Sequence, residues 1–204
     1  MQNPLILHPL LTDKHYGLAI NSENSEESLI MEHLESIGDG VFQIIFYSNK
    51  KSVCRTRALE ISQFCKANGI TFIVCGDLEI AVQSNADGLH LKALNYEIDV
   101  IRKRLGQYKI IGLEVANYRQ AEAVKDNGFD YICPGPVFRA SMSIDNGMPV
   151  GCELVRAINK SIQLPQYAYG GINSLNANLV FSAGAYGVII DYDPSIFPLL
   201  KSYG

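Results

Sequence analysis

The sequence predicts an α/β protein, a compact (β/α)8 TIM barrel in a single domain over residues 1–204, and three observations carry that expectation. Short apolar stretches with strand character alternate with amphipathic helical stretches along the whole chain. Strict alternation with short links implies parallel strands joined by right-handed crossovers. Asn-Gly or Ala-Gly pairs recur just before strands, at Asn68-Gly69, Asn127-Gly128 and Ala183-Gly184, as a barrel of similar units would place them. The unit over 164–192 then runs as an apolar strand ending in Gly170-Gly171, a helix, and a second strand after Ala183-Gly184-Ala185. Glycines at a strand's C-terminal end let the backbone approach a ligand closely. The helix that follows offers unpaired N–H groups to an anion. Late strands of eight-stranded β/α barrels bind phosphate in this way. A doubly wound open sheet competes, but no Gly-x-Gly-x-x-Gly follows the first strand, so its dinucleotide-binding form has no support.

The elements are expected in this order. The first strand covers 16–20, and a helix over 25–37 opens on Ser25 with Glu26 and Glu27 in its first turn, as an N-cap and the helix dipole favour. Residues 41–47 read as a buried strand and 52–67 as a helix closed by Asn68-Gly69, a C-cap pair. The third strand is 70–75, a short helix covers 78–83, and the fourth strand is 88–91. A helix over 96–105 carries Arg102, Lys103 and Arg104 in its last turn, where cations suit the dipole. The fifth strand is 109–115, followed by a helix at 118–126, the sixth strand at 131–134, a long loop at 138–150 and a helix at 152–160. The terminal unit supplies the seventh and eighth strands, and a last helix is expected at 195–202.

Composition excludes several classes of function. Net charge is −4 with acids and bases interspersed, which leaves no electrostatic footprint for nucleic acid. No apolar run approaches the roughly 18–20 residues needed to span a bilayer. The start of the chain, Met1-Gln2-Asn3-Pro4-Leu5, lacks the basic and long apolar regions of a signal peptide. A cytoplasmic protein with no membrane partner is expected. The five cysteines (Cys54, Cys65, Cys75, Cys133, Cys152) have no metal-type spacing, and their odd number argues against a complete disulfide framework. The four histidines (His8, His15, His33, His90) form no paired ligand motif.

Several local motifs resemble the thiamine-phosphate synthase family and its relative, thiazole tautomerase. They are Ala86-Asp87-Gly88-Leu89-His90-Leu91, Ile111-Gly112, Gly128-Phe129-Asp130-Tyr131 leading to Gly135-Pro136-Val137-Phe138, then Gly151, Gly170-Gly171-Ile172, Asn178 and Ala183-Gly184-Ala185-Tyr186-Gly187-Val188. The resemblance is ungapped from about residue 70 to 192, about two-thirds of the chain, and weak before that. It implies a barrel, a small heteroaromatic phosphate as partner, and a place in thiamine biosynthesis. The family's reaction joins an aminopyrimidine diphosphate to a thiazole phosphate with Mg²⁺ assisting the leaving group. A homo-oligomer is also compatible with the resemblance.

The same resemblance shows where this chain departs from the pattern. The family's Gln-x-Arg-x-Lys on the second strand becomes Gln43, Ile45 and Tyr47 at the informative positions. Its Asn-Asp after the third strand, the Asp a metal ligand, becomes Cys75-Gly76, and its second metal-binding Asp aligns with Asn95. A serine after the fifth strand becomes Glu114, and the Thr-x-Thr-Lys loop becomes Ala140-Ser141-Met142-Ser143. The terminal Val-Ser pair becomes Asp191-Tyr192, and the tautomerase histidine aligns with Ala116. Mg²⁺ with diphosphate wants carboxylates and cations, so no cofactor is expected unless the family reaction is retained. The phosphate-site set carried over is Gln43, Gly170, Gly171, Asp191 and Tyr192.

Other candidates rest on position alone. Glu114, Asp191 and Lys92 fall at strand C-termini, where barrel active sites gather, and read either as an acid–base cluster or as a structural ion-pair network. Lys92, Arg139, Lys50 and Lys51 are possible replacement cations, or solvated surface charges. His90 reads as a catalytic group or a hydrogen-bonded barrel histidine. Cys75 and Cys133 end strands without a sequence-visible activating base, which favours inert thiols. Tyr47, Tyr169 and Tyr192 would line an apolar pocket for a ring or plug the mouth.

Overall fold

The computed structural model describes residues 15–21, 27–36, 41–47, 51–94, 97–139, 148–173 and 175–192. Strands and helices alternate: β1 (His15–Asn21), α1 (Glu27–Ser36), β2 (Gln43–Tyr47), α2 (Lys51–Ala67), β3 (Thr71–Cys75), α3 (Leu78–Gln83), β4 (Gly88–Leu91) and α4 (Ile98–Leu105). They continue as β5 (Ile110–Val115), α5 (Tyr118–Val124), β6 (Tyr131–Pro134), α6 (Gly151–Asn159), β7 (Tyr167–Tyr169), α7 (Ala177–Ser182) and β8 (Gly187–Asp191). The eight strands form one sheet in the order β6-β5-β4-β3-β2-β1-β8-β7. All the ladders are parallel. A single bridge between Ile132 and Gln166, with Ile132 N–H donating to Pro165 O at 3.0 Å, brings β6 against β7 and closes the ring.

The expected barrel is therefore present, and β4, β6 and α3 coincide with their expected ranges. The expected helix at 118–126 stops at Val124, with Lys125 as C-cap. The helix expected at 195–202 and most of the 138–150 loop lie outside the described residues. No helix among the described residues is long and apolar enough to cross a membrane.

Strand periodicity sorts the core into two shells. On β3, Phe72 and Val74 face the helices while Ile73 and Cys75 face the barrel interior, and on β5 Ile111, Leu113 and Val115 face outward. The outer shell, between sheet and helices, holds the largest buried side chains, including Phe46, Phe72, Ile61 and Leu89. Each such side chain contributes about 1.5–3 kcal/mol by leaving water.

The N-terminal face is tied by two aspartates that sit one position before a strand. Asp87 N–H donates to Phe72 O at 2.8 Å, and Asp87 Oδ2 accepts from Phe72 N–H at 3.0 Å. Asp130 repeats the device with Ile111 N–H at 2.7 Å and also accepts from Arg102 Nη2 at 2.9 Å. Arg102 reaches three carbonyls as well, those of Gln107, Lys109 and Gly128. The cationic last turn of α4 thus pins the loops that start β5 and β6, and leaves the opposite face free for chemistry.

Candidate functional site

The inward-facing residues at the strand C-termini line an open pocket of about 650 Å³, solvent at its mouth included. Its floor and walls come from all eight strands. Ala19, Ile45 and Ile189 supply apolar wall, Tyr47 and Tyr169 supply rings, and Cys75, His90 and Cys133 lie deeper. Lys92, Glu114, Gly170 and Asp191 complete the rim. Glu114, Asp191 and Lys92, which read in the sequence as an acid–base cluster or a structural ion-pair network, are thus brought to one pocket.

The pocket rests on a buried aromatic layer. Tyr131 crosses the barrel above Gly112, where an added Cβ would stand 2.0 Å from the ring. Only glycine leaves room for that ring. The Tyr131 hydroxyl bonds His90 Nδ1 at 2.8 Å, and the two rings stack with centroids 5.6 Å apart. Burial pushes the Tyr131 phenol well up, so it holds its proton. Cys133 is spoken for, its thiol donating to Tyr167 O at 2.6 Å.

Glu114 is held from two sides. Its Oε1 lies 3.4 Å from His90 Nε2, and its Oε2 accepts from the Tyr169 hydroxyl at 3.1 Å. Burial pushes its carboxyl up, but the hydrogen bond and charge of His90, then Lys92 and Tyr169, outweigh that and leave it below the usual carboxylate range. Glu114 is therefore a carboxylate at neutral pH. Burial pushes the Cys75 thiol up to about 12, with Lys92 opposing and Glu114 adding to the rise. Tyr47 is also raised to about 12, by burial first and then by the charges of Asp191, Cys75 and Glu114. Lys92 Nζ stands 5.3 Å from the Tyr47 ring centroid, a cation–π distance.

The expected phosphate-site residues separate. Gly170 and Asp191 line the pocket. Gly171 lies beside it at φ +63, where an added Cβ would stand 2.7 Å from Phe138 O and 3.0 Å from the Arg139 carbonyl carbon. That close approach requires glycine and puts the Arg139 backbone next to it. Gln43 is buried on the inward face of β2, and its Nε2 has no hydrogen-bond partner among the described residues. Tyr192 turns the other way. It packs on the outer shell, and its hydroxyl bonds His33 Nδ1 on α1 at 2.7 Å. The loop before α7 also differs from expectation. Asn173 Oδ1 accepts from Leu175 N–H at 2.9 Å, and Asn176 Oδ1 accepts from Asn173 N–H at 2.8 Å, so these side chains occupy amides that an anion would use. Lys50, Asn95 and the segment Ala140-Ser141-Met142-Ser143 lie outside the described residues, and of Lys51 only the backbone is described.

Mg²⁺ does not fit the described residues at the pocket. Gly76, at the first expected ligand position, has no side chain and sits at φ +80. Among the described residues, the grouping of ligand-type side chains at the pocket is Cys75, His90 and Glu114. It offers a thiol, an imidazole and one carboxylate where Mg²⁺ takes an octahedron of oxygens. That convergence of Cys75 with His90 and Glu114 is what sequence reasoning missed. The available signal was the inward parity of three neighbouring strand ends; their register (Cys75 opposite His90, His90 opposite Gly112) was not.

A closed parallel barrel with its polar groups gathered at the strand C-termini is the architecture of a small-molecule barrel enzyme or its descendant. Residues 18–190 match the family model described as thiamine monophosphate synthase, and the chain belongs to that family. A thiamine-phosphate synthase from Prochlorococcus marinus subsp. pastoris is 36% identical over 164 residues, covering 79% of this chain and 46% of that protein. One from Pelotomaculum thermopropionicum is 34% identical over 182 residues, covering 88% of this chain and 83% of that protein. The chain thus spans about half the length of the Prochlorococcus relative. Among solved structures, the thiamine phosphate pyrophosphorylase from Pyrococcus furiosus superposes with a TM-score of 0.76 at 22% identity, covering 95% of this chain and 96% of that one. That likeness is one of fold.

Proposed function

We propose that this chain is a thiamine-phosphate synthase-like protein of thiamine biosynthesis that binds a heteroaromatic phosphate at the barrel mouth and does not carry out the Mg²⁺-dependent diphosphate coupling. The observation that carries the reading is the pocket itself. Its apolar and aromatic wall of Ile45, Tyr47 and Tyr169 stands beside the Gly170-Gly171 backbone. A ring has a surface to pack on, and its phosphate has two cations within reach, exposed Arg139 beside Gly171 and Lys92 on the rim. Against the coupling stand Ile45 and Tyr47, which hold the inward positions where the family pattern has cations. Glu114 and Asp191 add negative charge where a diphosphate would need the opposite.

Two measurements on purified protein test the two halves. Thermal unfolding with a thiazole phosphate or thiamine phosphate should show stabilisation, and Arg139→Ala should weaken binding about tenfold, the loss of about 1.4 kcal/mol. No stabilisation by either ligand overturns the binding half. A coupled assay with both substrates and Mg²⁺ should show no turnover. A rate near ~1 s⁻¹, within the ordinary enzyme range, overturns the second half.

A further inference from the structure

We infer that Cys75, His90 and Glu114 form a binding site for a borderline transition-metal ion, Zn²⁺ first among them, with an open coordination position facing the pocket. One ligand atom from each residue lies within 4.8 Å of the other two. His90 Nε2 and Glu114 Oε1 are 3.4 Å apart. Donors bound to zinc at ~2.0–2.1 Å in a tetrahedron stand about 3.3–3.4 Å from each other, so this pair already spans one edge. The third vertex belongs to the Cys75 sulfur, and the fourth opens to the pocket that all three residues line.

The other polar atoms of two ligands are already held. Metal binding takes the tautomer in which His90 Nδ1–H donates to the Tyr131 hydroxyl oxygen at 2.8 Å, so that Nε2 turns from donor toward Glu114 into a lone-pair ligand. Glu114 Oε2 is engaged by Tyr169 at 3.1 Å, so Oε1, which faces His90 Nε2, is the oxygen that ligates. Metal-binding imidazoles and carboxylates are oriented by outer partners of this kind. The donor set selects the ion: a thiolate and an imidazole favour zinc or its neighbours in the first transition row over Mg²⁺. Cys75 binds as thiolate, so its S–H proton goes to solvent as the sulfur–metal bond forms. Thiolate and carboxylate then neutralise the divalent ion, with Lys92 and Asp191 offsetting each other on the same rim.

The same geometry argues against a thiol nucleophile. A Cys–His–acid relay needs one imidazole nitrogen on the sulfur and the other on the carboxylate. Here Nδ1 is taken by Tyr131, and Nε2 is the nitrogen that faces Glu114. The groups converge on a point; they do not form a chain. This inference does not depend on the ligand reading above, whose thermal-unfolding test requires no transition metal.

The test is titration of the full chain, stripped with chelator, with Co²⁺ as spectroscopic substitute for zinc. We expect one ion per chain, a sulfur-to-metal charge-transfer band in the near ultraviolet, tetrahedral visible bands, and displacement by equimolar Zn²⁺. Cys75→Ser should abolish the charge-transfer band, with circular dichroism reporting that the fold persists. Tyr169→Phe, which touches the ion only through Glu114, should weaken Zn²⁺ binding about 10–100-fold. Absence of the band in wild-type protein overturns the inference, and so does a band that survives Cys75→Ser, because it then belongs to another thiol.

Discussion

Gly112→Ala tests whether the aromatic layer supports the pocket as described. The new Cβ would stand 2.0 Å from Tyr131 Cζ, so the ring must retreat about 1.4 Å to reach an ordinary contact near 3.4 Å. It has little room, being 3% exposed and boxed by the Tyr167 ring at 5.3 Å and the stacked His90 ring at 5.6 Å. Overpacking of this kind costs about 1–3 kcal/mol. Movement also breaks the Tyr131–His90 hydrogen bond and strands two buried groups, a further ~1–3 kcal/mol. The gain from stiffening the unfolded chain, about 0.4–1 kcal/mol, offsets only part of this. The net expectation is a loss of about 2–5 kcal/mol, or roughly 5–15 °C in Tm for a domain of this size. Urea unfolding followed by circular dichroism measures the loss. In a Tyr131→Leu background the same substitution should cost at least about 1 kcal/mol less, as coupled neighbours do. A single-mutant loss below about 1 kcal/mol, or strict additivity with Tyr131→Leu, would refute the reasoning.

Two further outcomes follow from features far from and near to the pocket. Arg102→Met removes the bonds to the Gln107, Lys109 and Gly128 carbonyls and to Asp130. Asp130 is 45% exposed, so screening places the loss near the low end for charged hydrogen bonds, about 1.5–2 kcal/mol; ligand stabilisation at the opposite face should be unchanged, and its loss would mean that the two faces are coupled. Burial raises the Tyr47 phenol to about 12 and pushes Tyr167 up as well. The folded state therefore keeps protons that the unfolded chain gives up near pH ~10, and stability from these groups is full below that pH and falls as pH rises toward 12. A phenolate titration at 295 nm should show Tyr47 and Tyr167 ionising only well above pH ~10, whereas their ionisation near that pH without unfolding would contradict the packing.

How much of this was legible in the sequence follows from what each feature depends on. The barrel depends on alternation and on short links, both visible in one dimension, and strands such as Gly88–Leu91 fall where period-two patterning puts them. The facing of single residues was legible in principle by the same parity. On β8, Gly187, Ile189 and Asp191 point inward, so Tyr192 had to turn outward, where it meets His33. Its placement at the mouth overlooked a rule already in hand. Position alone also brought Glu114, Asp191 and Lys92 to the mouth. The Cys75, His90 and Glu114 cluster is of another kind, because parity says only that each faces inward. Their meeting depends on the stagger between three strands, with Cys75 opposite His90 and Glu114 two positions beyond the Gly112 that pairs with His90. It depends equally on Tyr131 and Tyr169, which arrive from β6 and β7 to turn the imidazole and the carboxylate toward one point. The replacements relative to the family pattern show the same limit. Ile45, Tyr47 and Gly76 read in the sequence as three separate losses, a cation, a cation and a carboxylate. Seen at the pocket, Ile45 and Tyr47 make one continuous apolar and aromatic wall. Around it stand a thiol, an imidazole and a carboxylate, with Cys75 and Glu114 at positions where the family pattern has Asn and Ser, so the polar set is changed in kind and not merely thinned.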